Sequence, residues 1–147
     1  MPKPKSPDRR GLTLLGTPSA FPETPSREIL ETFENLYPQR EYLIRFECAD
    51  FTSLCPITGQ PDFARLTIEY VPSHRCIETK SLKFYLASYR QARAFNEEIA
   101  NRILDDLAAA CDPRRMTVRG EFASRGGISL TIEAVHDASK NRSRKRS

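Results

Sequence analysis

A helical repeat lies between two pairs of alternating runs, and that order constrains the fold of this chain more than any other feature. From about Gln91 to Cys111, the residues Phe95, Ile99, Ile103, Leu104, Leu107 and Ala110 recur at the spacing of one helix face. A shorter repeat of Leu82, Tyr85, Leu86 and Tyr89 precedes it and predicts another helix. Asp112-Pro113 stops the longer helix, because the residue before a proline is pushed out of the helical region. Upstream, Tyr42, Ile44, Phe46 and Cys48 alternate with Glu41, Leu43, Arg45 and Glu47. Ala64 to Val71 alternates again, with Leu66, Ile68 and Tyr70 on one face, and Pro72 to Arg75 turns the chain. Downstream, Met116 to Phe122 and Ile128 to Val135 read as strands joined through Ser124-Arg125-Gly126-Gly127. Thr24-Pro25 predicts a further short helix through Asn35, with Thr24 as N-cap and Pro25 in the first position. The order is ββααββ, an α+β fold of two antiparallel hairpins with a pair of helices on one face of the sheet. Such a sheet leaves two unpaired edges, and an oligomer that closes them into a barrel would remove both.

A chain of 147 residues suits one domain spanning 1–147, large enough to bury roughly 70% of its unfolded surface. The N-terminal Met1-Pro2-Lys3-Pro4-Lys5-Ser6-Pro7 has no apolar stretch behind it, and no run approaches the roughly 20 apolar residues of a membrane span. The expectation is a cytoplasmic protein with no membrane partner. The net charge of +4 comes from the ends: residues 1–10 carry +3, residues 136–147 carry +4, and the body carries −3. Both ends are expected to be disordered tails by composition. Basic tails can touch nucleic-acid phosphates without reading sequence, which keeps a non-catalytic nucleic-acid-binding module as an alternative. Cys48, Cys55, Cys76 and Cys111 form no Cys-x-x-Cys pair, and His74 and His136 are not near a cysteine pair, so no metal site is expected. Without an export signal the thiols are expected to stay reduced, with Cys48 and Cys111 buried as small hydrophobes.

One cysteine sits differently. Phe51-Thr52-Ser53-Leu54-Cys55-Pro56-Ile57-Thr58-Gly59-Gln60-Pro61-Asp62-Phe63 places two prolines and a glycine within the seven residues from Cys55 to Pro61, which predicts a loop. A thiol can attack an electrophilic carbon, and the carboxyl of Asp62 can supply the proton that the product needs. Further along, Glu78-Thr79-Lys80-Ser81-Leu82-Lys83 marks a helix start, where Lys80 and Lys83 share a face. Free N–H groups there would add to an anion site suited to phosphates. Arg125-Gly126-Gly127 is a turn that lets a backbone approach a ligand while a guanidinium grips a phosphate. Glu97, near the start of the long helix, can accept paired hydrogen bonds from a guanine-like N–H edge. Taken alone, each of the last three segments reads first as an ordinary solvated turn or helix end.

Taken together, FTSLCPITGQPDFA, IETKSLKFYLASYR, FNEE and RGGIS, in this order, resemble the short form of the 7-cyano-7-deazaguanine reductases, the NADPH-dependent nitrile reductases of queuosine biosynthesis. The resemblance runs from Gly11 to Ile132. It implies the tunnelling fold, NADPH as cofactor, no metal, and a homo-oligomer of two stacked pentameric rings with active sites between subunits. It implies that Cys55 is the nucleophile forming a covalent thioimide and that Asp62 is the proton donor. Ile77, Glu78, Thr79, Asn96 and Glu97 are implied as substrate contacts, and Thr79, Lys80, Lys83, Arg125 and Gly126 as cofactor contacts. The family pattern usually has His where this chain has Asn96, which can hydrogen-bond but cannot carry a proton at neutral pH. Another tunnelling-fold purine or pterin enzyme is the remaining alternative; it would need metal ligands or a catalytic histidine.

Overall fold

The computed structural model describes residue 22 and residues 24–140. Its main sheet has four antiparallel strands in the order β2 (Ile44–Leu54), β3 (Pro61–Val71), β5 (Arg115–Arg125) and β6 (Ile128–Asp137). Helices α1 (Thr79–Ala87) and α2 (Asn96–Cys111) cover one face. Leu66, Ile68, Tyr70, Met116 and Val118 point from the sheet into a core with Leu82, Tyr85, Ile99, Ile103 and Leu107. The ββααββ order is therefore the observed one, with β2 and β6 as the edges. The β5–β6 hairpin closes at Gly126 and Gly127, whose φ values of 58° and 81° are left-handed and suit glycine.

Three segments depart from expectation, each because tertiary partners override local propensity. The Thr24–Asn35 helix does not form. Ser26 caps a single 3₁₀ turn, Arg27–Ile29, and the chain then extends into β1 (Thr32–Glu34). Glu31 explains the switch: its N–H donates to Ser81 Oγ at 2.9 Å and its carbonyl accepts from Glu78 N–H at 2.9 Å. Strand β1 pairs with β4 (Arg75–Ile77) in a second, two-stranded sheet. Helix α2 starts at Asn96 rather than near Gln91, because residues 92–94 pair their backbone with the end of β2. Leu54 N–H donates to the Ala92 carbonyl at 2.9 Å, and Ala94 N–H to the Leu54 carbonyl at 3.3 Å. Phe95 is therefore the N-cap residue and is exposed, not a core residue. Finally, β6 runs to Asp137 and a helical turn follows to Lys140, so residues 136–140 of the expected C-terminal tail are structured. The expected tail 1–10 and residues 141–147 lie outside the described residues.

At the end of α2, Asp112 adopts the left-handed conformation and its N–H closes on the Ala108 carbonyl at 2.9 Å. Asp106 is buried on α2, where it accepts from Tyr85 Oη at 2.6 Å and pairs with Arg27 at 3.2 Å. Tyr85 and Tyr89 share a 2.8 Å hydrogen bond, and burial pushes both phenols well above their ordinary range. This satisfied polar chain joins α1, α2 and the N-terminal segment through the core. Among the described residues, no helix is long and apolar enough to cross a membrane.

Candidate active site

The register of β2 decides where Cys55 points. Ile44, Phe46 and Cys48 face the helices, as the alternation predicts. A one-residue bulge then intervenes: Cys48 pairs with Leu66 but Phe51 pairs with Ala64, so three residues of β2 match two of β3. After the bulge Phe51 and Ser53 face inward, and both are buried. The ladder continues through Ser53↔Asp62 and Leu54↔Pro61, and Cys55 N–H donates to the Gln60 carbonyl at 2.8 Å. Cys55 thus extends the inward-facing series Phe51, Ser53, Cys55, and Asp62 lies on the same face as Ala64 and Leu66. The thiol and the carboxyl are diagonal neighbours across one hairpin. The expected 51–63 loop is accordingly shorter than predicted. Residues 51–54 and 61–63 are strand, Asp62 among them, and the connection is Cys55 to Gln60.

That connection is a tight turn closed by Gly59 N–H to the Cys55 carbonyl at 2.9 Å. Gly59 has a φ of 71°, and a Cβ there would come within 2.7 Å of the Arg93 guanidinium. The turn also acts on the sulfur. A hydrogen bond from the Thr58 hydroxyl, then the N–H groups of Thr58 and Ile57, lower the Cys55 thiol below its ordinary value against a small opposing effect from Asp62. Thr58 was not among the residues expected at the site; the signal available was a hydroxyl three residues beyond a cysteine in a proline-started turn. The other cysteines lack this setting. Cys111 is buried and its thiol is pushed up to about 12, while Cys76 is buried in β4. Cys48 is only half buried, contrary to expectation, because the bulge opens a groove beside it.

Asp62 is nearly enclosed, with 12% of its side chain exposed, and Arg125 Nε lies 2.8 Å from its Oδ1. Arg125 also donates through Nη2 to the Pro61 carbonyl. The tip of the β5–β6 hairpin is thus tied to the start of β3, and Arg125 faces the carboxyl rather than standing apart as a phosphate grip. Gly126 follows it in the turn with open space around its Cα.

The helix start at α1 also differs from expectation. Glu78 is buried and caps the helix: its two carboxylate oxygens accept from Lys80 N–H and Ser81 N–H, each at 2.7 Å. The N–H groups expected to face a phosphate are already used. Ile77 is buried and its N–H donates to Tyr70 Oη at 2.9 Å. Lys80 Nζ lies 6.0 Å from the Phe84 ring centre. Thr79 and Lys83, one turn apart, line a groove of about 320 Å³ between α1 and the bulge, with Phe46, Leu82 and Leu86 as its apolar wall and Arg90 at the same groove. The apolar wall suits a flat ring and Thr79, Lys83 and Arg90 suit phosphate oxygens, while the carboxylates Glu47 and Asp50 line the same groove. Cys55, Asp62 and Glu97 do not line this groove.

Glu97 lies exposed in the first turn of α2, facing a separate hollow shared with Arg27, Asn101 and Arg102. Beside it, the Oδ1 of Asn96 is buried without a hydrogen-bond partner among the described residues. An unmatched acceptor next to a carboxylate complements a ligand edge that carries N–H donors. No cluster of three or more His, Cys, Asp or Glu converges among the described residues.

The profile of the QueF-like protein family matches residues 61–141. The chain is 52% identical over 115 residues to the NADPH-dependent 7-cyano-7-deazaguanine reductase of Chlorobaculum tepidum, covering 78% of this chain and 98% of that one. It is 56% identical over 116 residues to the enzyme of the same name from Nitrosococcus oceani, covering 79% and 89%. Among solved structures, the apo form of the archaeosine synthase QueF-Like superposes with a TM-score of 0.60 at 26% identity, covering 63% of this chain and 91% of that one. Family profile and fold therefore define a protein of the QueF-like class, with the α+β tunnelling fold expected from the sequence. Within that class, the chain belongs to the family of NADPH-dependent 7-cyano-7-deazaguanine reductases.

Proposed function

We propose that the protein reduces the nitrile of 7-cyano-7-deazaguanine to the primary amine of 7-aminomethyl-7-deazaguanine through a covalent thioimide on Cys55. The observation that carries this reading is the shared face of Cys55 and Asp62 across a hairpin whose turn stabilises the thiolate. The Cys55 sulfur adds to the nitrile carbon, one C–N π bond breaks, and the nitrogen takes a proton. Asp62 supplies it. Because a guanidinium only donates, Arg125 engages Asp62 Oδ1 as an acceptor, and a proton passed to the nitrile nitrogen would leave from Oδ2. When the adduct, once reduced at carbon, collapses to the imine, the C–S bond breaks and Cys55 departs as the thiolate that its turn favours.

Two molecules of NADPH, bound in turn, would supply the two hydrides that nitrile-to-amine reduction requires, one from each. Thr79 and Lys83 would hold the cofactor along the α1 groove, with Lys80 next to Thr79 in the same turn, while Arg125 and Gly126, outside that groove and beside Asp62, would join from a neighbouring copy. Glu97 and Asn96 Oδ1 would accept from the N–H edge of the base. Ile77 and Glu78 hold the strip before α1 in place, leaving Thr79 as its exposed member. The substrate and cofactor residues face different hollows within one chain, which supports sites completed between subunits of a homo-oligomer. A decamer of two pentameric rings is the assembly that the family resemblance implies. The same reading sets the reaction in queuosine tRNA modification and the enzyme in the cytoplasm.

The test is intact-protein mass after incubation with 7-cyano-7-deazaguanine and no NADPH. Wild type should gain the substrate mass and Cys55→Ala should not. An unmodified wild type at saturating substrate sinks the thioimide reading.

A further inference from the structure

Ser53 is fully enclosed, yet its hydroxyl has no hydrogen-bond partner among the described residues. An alanine would fill nearly the same space without leaving a buried polar atom unmatched. The position of this hydroxyl is specific. Ser53 is the ladder partner of Asp62, so their side chains project from the same face with Cβ atoms about 4.5–5.5 Å apart. It is also two residues before Cys55 on that face. Arg125 engages Asp62 Oδ1 from the hairpin tip.

We propose that Ser53 is a positioning residue for the acid: its hydroxyl turns about χ1 onto the Asp62 carboxyl as Asp62 gives its proton to the nitrile nitrogen. This inference rests on the thioimide reading above. While Oδ2 carries the proton it is itself a donor and has no need of another. Once the proton has gone, Oδ2 becomes a bare acceptor in a nearly closed site, and the Ser53 O–H supplies a donor. Ser53 neither loses nor gains a proton, since the transferred one passes only from Oδ2 to nitrogen. A hydrogen bond made only in the charged state lowers the barrier without tightening substrate binding. An orphaned hydroxyl in the free protein is what such a role leaves behind, because its stabilisation is reserved for the transfer.

The experiment compares wild type with Ser53→Ala in three measurements: the rate of covalent adduct formation without NADPH across pH, the rate of Cys55 alkylation by iodoacetamide, and the denaturation midpoint. The expected result for Ser53→Ala is adduct formation slower by about ten- to a hundredfold at saturating substrate. Its half-saturation and its alkylation rate should be unchanged, its pH profile displaced, and its stability equal or higher. Adduct formation at the wild-type rate with an unaltered pH profile overturns the proposal. So does a loss of stability with parallel losses in alkylation and adduct formation, which marks a packing role. If wild type itself forms no adduct while Cys55 is alkylated normally, the thioimide reading falls first and takes this inference with it.

Discussion

At the scale of single residues, the site depends on what surrounds a sulfur and a carboxyl. Cys55 gains its thiolate character from the turn that follows it, through the Thr58 hydroxyl first and then two backbone N–H groups. Thr58→Val keeps the side-chain volume and removes the largest of these effects, together with the hydrogen bond that the Thr58 hydroxyl accepts from Gln60 N–H at 3.2 Å. The midpoint of the pH dependence of Cys55 alkylation should therefore move upward, and alkylation near neutral pH should slow, about tenfold for each unit of displacement. A midpoint that stays put would assign the effect to the backbone alone. Residue types made part of this legible beforehand: a thiol and an acid around prolines are visible without coordinates. Ser53 and Thr58 were not, because serine in an alternating run reads as an outward polar residue and threonine in a turn as ordinary turn chemistry. Only the register shows that Ser53 faces inward.

At the scale of elements, the alternation and the helical repeat carried the order of strands and helices, since each face that packs the core leaves a periodic trace. Boundaries were lost where backbone partners lay far away in sequence. Ala92 and Ala94 bond to Leu54, and Glu31 bonds to Glu78 and Ser81, and neither pairing leaves a local pattern. The bulge between Cys48 and Phe51 was also missed, although Ala49-Asp50 breaks the alternation there. It absorbs the one extra residue of β2 that would otherwise turn Cys55 to the outer face. Deleting Asp50 should restore an even ladder while leaving Phe51, Ser53 and Cys55 inward, because the residue removed is the one the bulge accommodates. Far-UV circular dichroism should still report the mixed α+β fold, and incubation with 7-cyano-7-deazaguanine should still yield the adduct. A folded deletion variant that forms no adduct would show that the bend of the bulge, not the face alternation alone, aims the thiol.

At the scale of the whole molecule, β6 ends the main sheet without a partner among the described residues, and Glu97 faces a hollow that includes neither Cys55 nor the α1 groove. Sites shared between copies make a specific demand. Cys55→Ala and Glu97→Gln should each be inactive alone, and mixing them under conditions of subunit exchange should recover up to about a quarter of wild-type turnover if one residue comes from each neighbour. No recovery, with exchange verified by mass, would place both residues of a site in one chain. The helix start at α1 has a consequence at this scale too. The Glu78 carboxylate already occupies the two N–H groups that a stray anion would seek. Inorganic phosphate and sulfate, abundant wherever a protein is made or stored, thus meet a negative plug at α1. A visitor must bring more than its charge to stay.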